Sequence, residues 1–248
     1  MAIRYKATIE YLGNGFCGWQ RQKNAITVQE VLENALFKFT RQKIMVFAAG
    51  RTDSGVHALG QVIHFDLEAY IKPYKIINAV NHFVKPYPVV LLDMNICDIE
   101  NFHARFSVIK KHYLYRIINR YSKLVQESDR AWWIKKTLDV NAMKKAADSI
   151  IGYHDFSSFR AAKCSAKSPH ITLEKLNIEK IDSQEIRFYF VARSFLYHMV
   201  RNLVGSLVLV GLEKWDIEKM HKALVKCNRN MTGQTAPACG LYLVRIEY

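Results

Sequence analysis

The chain has 248 residues, half of them hydrophobic, and carries 36 Lys and Arg against 22 Asp and Glu, a formal net charge of +14. Such a composition excludes disordered, collagen-like and low-complexity classes, and a chain of this length can bury roughly 70–75% of the surface it exposes when unfolded. The positive excess points to a polyanionic partner, either nucleic acid or an anionic membrane surface.

The chain opens with an alternating segment in which Ile3, Tyr5, Ala7, Ile9 and Tyr11 share one face, the mark of a half-buried strand. Val28, Val31, Leu32, Ala35, Leu36 and Phe39 then recur at helical spacing, with Thr27 and Glu30 set as a capping box. Ile44–Ala49 and Gln61–Leu67 read as strands joined by a polar loop. Pro73 suits the first turn of a second helix running to about Phe83. Pro88–Cys97 reads as a strand, so the first half has the order β-α-β-β-α-β.

The second half repeats that order. Lys111–Asn119 is a strand. Asp139 is placed to cap a helix carrying Leu138, Ala142, Met143, Ala146, Ala147, Ile150 and Ile151, with Gly152 as the residue after its end. Ile171–Ile181 and Glu185–Arg193 form a strand pair around Asp182-Ser183. A helix is expected from about Phe195 to Val210. Asp216 is placed to cap another, to about Cys227, with Ile217, Met220, His221 and Leu224 inward, and Leu241–Tyr248 closes the chain. The expected fold class is α+β: two ferredoxin-like β-α-β-β-α-β halves, 1–107 and 108–248, sharing a mixed, mainly antiparallel sheet. No Pro/Gly linker marks the division, an absence that a sheet continuous across both halves would explain.

Five cysteines, odd in number and widely spaced with no C-x-x-C, argue for a reducing compartment and against a zinc site or disulfide framework. The start, MAIRYKATIE, lacks the apolar core of a signal peptide, so a cytoplasmic location is expected. The most apolar run, Phe195–Leu212, is interrupted by His198, Arg201 and Asn202; its clean part is about half a membrane span, which favours a buried helix. A membrane-surface protein is further disfavoured because no strongly basic amphipathic helix is present.

The basic residues are grouped. Asn101–Gln126 holds Arg105, Lys110, Lys111, Arg116, Arg120 and Lys123 with no acid; Phe156–Leu173 holds Arg160, Lys163 and Lys167 with none; Lys219–Ile246 holds five more with none. Phe102, Phe106, Tyr113, Tyr115, Phe156 and Phe159 interleave with them. Cations for phosphates beside rings for splayed bases suit RNA, while strand packing is the plain alternative for each ring.

One loop is chemically distinctive: Gly50-Arg51-Thr52-Asp53-Ser54-Gly55-Val56-His57-Ala58-Leu59-Gly60. Asp-Ser-Gly alone is turn chemistry. This loop is long for a hairpin, sets a carboxylate two residues from an arginine, and has glycines that permit close backbone approach. No second carboxylate at a recognisable spacing, G-x-S-x-G, Walker A loop or H-E-x-x-H accompanies it. The expected chemistry is metal-free and rests on one carboxylate, with Arg and Tyr as partners.

That loop, with Gly60-Gln61-Val62 after it, resembles the catalytic loop of the bacterial tRNA pseudouridine synthase A family. Further blocks agree in order: Gly15–Gln20, Thr27-Val28-Gln29, Phe102–Phe106, His154–Phe159, Ser194–Arg201 and Ala236–Leu241. The resemblance runs nearly end to end; Glu68–Lys85 and Ser122–Thr137 carry no matching motif. It implies uridine-to-pseudouridine isomerisation at positions 38, 39 and 40 of the tRNA anticodon arm, by a homodimer without cofactor or metal. It makes Asp53 the catalytic nucleophile. Attack on C1′, stabilisation of charge there, removal of a ribose proton and a route through C6 of uracil all remain open. Tyr113 would stack on the target uracil, Arg201 would pair with the carboxylate, and Leu241 would lie near the base. Arg51 would help turn the nucleotide out of the helix. His57 is read as support for the loop, without a catalytic part. Arg105, Lys110 and Lys111 are expected on RNA. A non-catalytic RNA-binding module is the alternative class, separated by assay of an Asp53 variant.

Overall fold

The computed structural model describes residues 2–162 and 164–248; Lys163, among the cations above, lies outside the described residues. The chain divides into two compact units. One holds residues up to Ile109 together with Tyr242–Tyr248, the other Lys110–Leu241. The closing segment thus belongs with the first unit, where the sequence had placed it with the second half.

In the first unit, β1 (Ile3–Tyr11) lies between β3 (His57–Leu67) and β4 (Val89–Cys97), antiparallel to both. The expected face of β1 is inward: Tyr5, Ala7, Ile9 and Tyr11 are buried. β10 (Leu241–Glu247) joins β3 in parallel, Tyr242 opposite His57. α1 (Val28–Thr40) starts as read, with the Thr27 hydroxyl accepting from the Glu30 amide at 3.4 Å. α2 (Pro73–Phe83) begins at its proline and packs on β4. The strand expected over 44–49 shrinks to β2 (Phe47–Ala48). Its start is captured by α1, whose Glu33 accepts from the Val46 amide and whose Gln29 donates to the Val46 carbonyl.

In the second unit, β5 (Lys110–Asn119), β9 (Glu185–Ala192), β8 (His170–Lys180) and β7 (Gly152–Asp155) pair antiparallel in that order, and β6 (Trp132–Ile134) lies parallel to β5. Asp182 makes the expected turn, accepting from the Gln184 and Glu185 amides at 2.6 and 2.7 Å. Asp139 caps α3 (Val140–Asp148) through the Ala142 amide, and Asp216 caps α5 (Ile217–Val225) through the Lys219 amide.

Three readings are corrected. α3 stops at Ser149, and Gly152, at φ +116°, opens β7 instead of closing the helix. α4 is Met199–Gly211, starting four residues late: His198 is left-handed (φ 62°) and the Tyr197 carbonyl is taken by the Ala161 amide. On α5, Met220, Ala223 and Leu224 face inward while Ile217 and His221 are exposed. The class is α+β, with β10 parallel to β3 and β6 parallel to β5. Among the described residues, no helix is long and apolar enough to cross a membrane.

Candidate active site

The Asp53 loop enters from Ala49, whose amide donates to the Val62 carbonyl, and leaves into β3. Its shape is imposed by residues 11–19. The Trp19 amide donates to the Thr52 carbonyl at 3.0 Å and the Ser54 hydroxyl to the Phe16 carbonyl at 3.1 Å. The Tyr11 and Thr52 hydroxyls bond at 2.8 Å. Burial pushes the Tyr11 hydroxyl up to about 12, against the opposing pull of its bonds to Thr52 and Gln61, so it keeps its proton. Inside the loop, the Val56 amide closes a turn on the Asp53 carbonyl at 3.2 Å, and Gln61 donates to the Gly50 carbonyl at 2.8 Å.

Two glycines make this approach possible. A Cβ on Gly18, at φ +85°, would stand 2.8 Å from the Thr52 carbonyl oxygen, and one on Gly13 would overlap the Val56 carbonyl. The segment is in turn tied to the start of α1: the Val28 amide donates to the Gly18 carbonyl and the Gln29 amide to the Trp19 carbonyl. The blocks Gly15–Gln20 and Thr27–Gln29 therefore share one task, to fix the Asp53 loop. Asp53 is half-buried at the bend and Arg51 is exposed. His57 is buried, accepts at Nδ1 from the Gly13 amide and stacks on Tyr242 at 4.6 Å. It thereby ties residue 13 of the same segment to the start of β3.

In the second unit, Tyr113 and Tyr115 alternate on β5 with different fates. Tyr113 is half-buried, its ring edge-on to Phe195 at 5.1 Å. Tyr115 is buried and donates to the Pro237 carbonyl at 2.7 Å; burial drives its hydroxyl well above the usual range. Arg201 lies in the first turn of α4, where its Nε donates to the Ala236 carbonyl at 2.7 Å. Leu241 is buried at the start of β10. The blocks His154–Phe159, Ser194–Arg201 and Ala236–Leu241 converge on α4: Asn202 donates to the Phe159 carbonyl and accepts from Thr235 and Arg229.

Arg229 is a residue the sequence reading missed. It is half-buried, donates to Thr232, the Gly233 carbonyl, Asn202 and Thr235, and is lowered from its ordinary range by burial. One of many surface-type arginines by sequence, it had no local signal to set it apart.

The acid-free run Asn101–Gln126 is not acid-free in space. Lys110 meets Glu174 at 2.5 Å, and Arg116 meets both Glu127 and Glu185, at 2.6 and 2.8 Å. Lys111 is half-buried opposite Ala192, and Arg105 is exposed. A cavity of about 420 Å³ lies in the second unit between Trp132–Lys136 and Gly205–Leu212; none of the site residues read from the sequence lines it. Among the described residues, no group of three or more His, Cys, Asp or Glu is placed to hold a metal ion.

The loop bearing Asp53 is clamped on glycines, in a chain whose net charge of +14 suits a polyanionic substrate. The sequence profile described as tRNA pseudouridine synthase matches residues 7–107 and 146–248, and the chain belongs to that family. It is 43% identical to the tRNA pseudouridine synthase A of Orientia tsutsugamushi strain Boryong over 284 residues, covering 99% of this chain and all of that protein. The strain Ikeda protein of the same name is also 43% identical, over 283 residues, with the same coverage. The activity is thus that of an isomerase, forming pseudouridine in tRNA.

Proposed function

We propose that the chain isomerises uridines 38, 39 and 40 of the tRNA anticodon arm, with Asp53 as the nucleophile. The reaction breaks the N1–C1′ bond, turns the uracil and joins C5 to C1′; C5 gives up a proton and N1 gains one, so atoms and electrons balance without a cofactor or metal. The observation that carries the reading is the Asp53 loop. Clamped by main-chain bonds on glycines that admit no side chain, it fixes the backbone that carries the carboxylate, which suits a reaction needing attack on or charge stabilisation at C1′.

The remaining roles follow from the resemblance. Arg201 supplies the countercharge that keeps Asp53 ionised, Tyr113 stacks on the uracil, and Leu241 gives the base an apolar wall. Arg51 helps turn the nucleotide out of its stack, and Arg105, Lys110 and Lys111 meet the RNA backbone. Tyr113, half-buried, suits the stacking part better than Tyr115, which is fully buried with its hydroxyl on the Pro237 carbonyl. We further propose a cytoplasmic homodimer.

Incubation with tRNA tritiated at uridine C5 tests the reading. The chain should release tritium, with pseudouridine mapped to 38–40, and Asp53→Asn should release none. Release by Asp53→Asn at the parent rate refutes the role of Asp53, and modification confined to other positions refutes the assigned target.

A further inference from the structure

Most rings that interleave with basic residues in this sequence are committed to packing. Tyr115, Phe156 and Phe159 are buried, and Phe102 lies against Tyr248 and beneath Lys6. Phe106 is 70% exposed. It ends a row of rings in the first unit. Phe106 lies 4.4 Å from His103, His103 stands edge-on to His64 at 4.6 Å, and Phe47 stacks on His64 at 5.0 Å.

The loop presenting Phe106 is tightly held. The His103 amide donates to the Ser107 hydroxyl, the Ala104 amide to His64 Nδ1, and the Arg105 amide to His103 Nδ1. The Tyr248 hydroxyl donates to the Ala104 carbonyl, and Arg4 donates to the Ile99 and Phe102 carbonyls. A ring held in water by so constrained a loop can be covered by a ligand at little further cost in ordering. Arg105 lies over that ring at 5.7 Å, exposed and with no carboxylate partner among the described residues.

We propose that Phe106, backed by His103 and flanked by Arg105, is a stacking subsite for one unpaired base of the tRNA substrate, separate from the Asp53 loop. One ligand satisfies both exposed groups: a base covers the ring and its phosphate meets the guanidinium. A protein partner would need to bring an apolar contact and a carboxylate separately. The inference rests on tRNA as substrate but not on which uridine is modified.

Equilibrium binding of unmodified tRNA to the full chain, over a range of salt, tests it without any turnover. Phe106→Ala should weaken binding about tenfold, Phe106→Trp should hold it, and Phe106→Leu should behave like Ala, since stacking needs a ring. Arg105→Ala should lower the salt slope by about one. Parent-like binding by Phe106→Ala, or by Phe106→Leu, overturns the proposal. So does a change in the sedimentation of RNA-free Phe106→Ala, which would assign the face to a second copy of the chain. Failure to find pseudouridine at 38–40 leaves this binding readout untouched, and the reverse also holds.

Discussion

Around Asp53, in the first unit, position is set largely by main-chain bonds and by glycines: the Thr52 and Asp53 carbonyls are occupied by amides, and Gly13 and Gly18 let two loops touch. Around Arg201, in the second unit, position is set by polar side chains. Arg201, Asn202 and Arg229 tie α4 to residues 229–236, and Tyr115 ties β5 to Pro237. The Asp53 region is therefore vulnerable to an added atom, and the other to a removed polar group. A backbone-built loop fixes the main chain at Asp53; a side-chain network anchors a largely apolar helix through its few polar residues, Arg201 and Asn202.

The largest expected effect tests the second kind of support. Arg229→Ala leaves the Gly233 carbonyl and the oxygens of Asn202 and Thr235 short of a charged donor, and should cost about 3 kcal/mol in urea unfolding. An unchanged unfolding midpoint would show that the network is ornamental and dissolve the contrast. Gly18→Ala tests the first kind. At φ +85°, with Cβ against the Thr52 carbonyl, it should cost about 2 kcal/mol. Turnover should fall more, about 100-fold, because the loop must shift. Tritium release together with thermal melting separates the two losses; parent-like turnover would detach the loop's shape from the chemistry.

Legibility in the sequence divides along the same line. Caps at Thr27, Asp139 and Asp216 and the turn at Asp182 were readable because each bond spans two or three residues. The Asp53 loop was readable because its chemistry is contiguous. β6 and β7 were missed; three or four residues give no periodicity. The start of α4 was misread because its apolar run continues backwards, and a distant amide, that of Ala161, decides the backbone at Tyr197. The pairing of Lys110 and Arg116 with acids far along the chain was invisible for the same reason. So was the split between Tyr113 and Tyr115: period two puts them on one face, but only the approach of Pro237 buries Tyr115 with its hydroxyl on that carbonyl.

That split supplies a smaller prediction for the second unit. Tyr115→Phe keeps the buried ring and removes only the bond to Pro237, so unfolding should lose about 1 kcal/mol. Stability equal to the parent would mean that packing alone seats residues 236–240.

The last effect, of similar size, probes a part of the first unit that leans on a side chain. His64 is lowered to about 4 by burial first, and then by the charges of Arg4 and His103. Its neutral Nδ1 accepts from the Ala104 amide, a bond that protonation there removes. The unfolded ring takes a proton near 6.5 and the folded ring only near 4, so the unfolded state binds more protons between these values. Stability is therefore full above pH 6.5 and declines as pH falls toward 4, below which the His64 contribution levels off. At pH 5.5 the loss should be about 1 kcal/mol. Urea unfolding of the parent and of His64→Gln at pH 7.5 and 5.5 measures it: the Gln variant should show the smaller change between the two. Equal changes would mean that the Ala104 loop, and the ring row it presents, does not depend on a neutral His64.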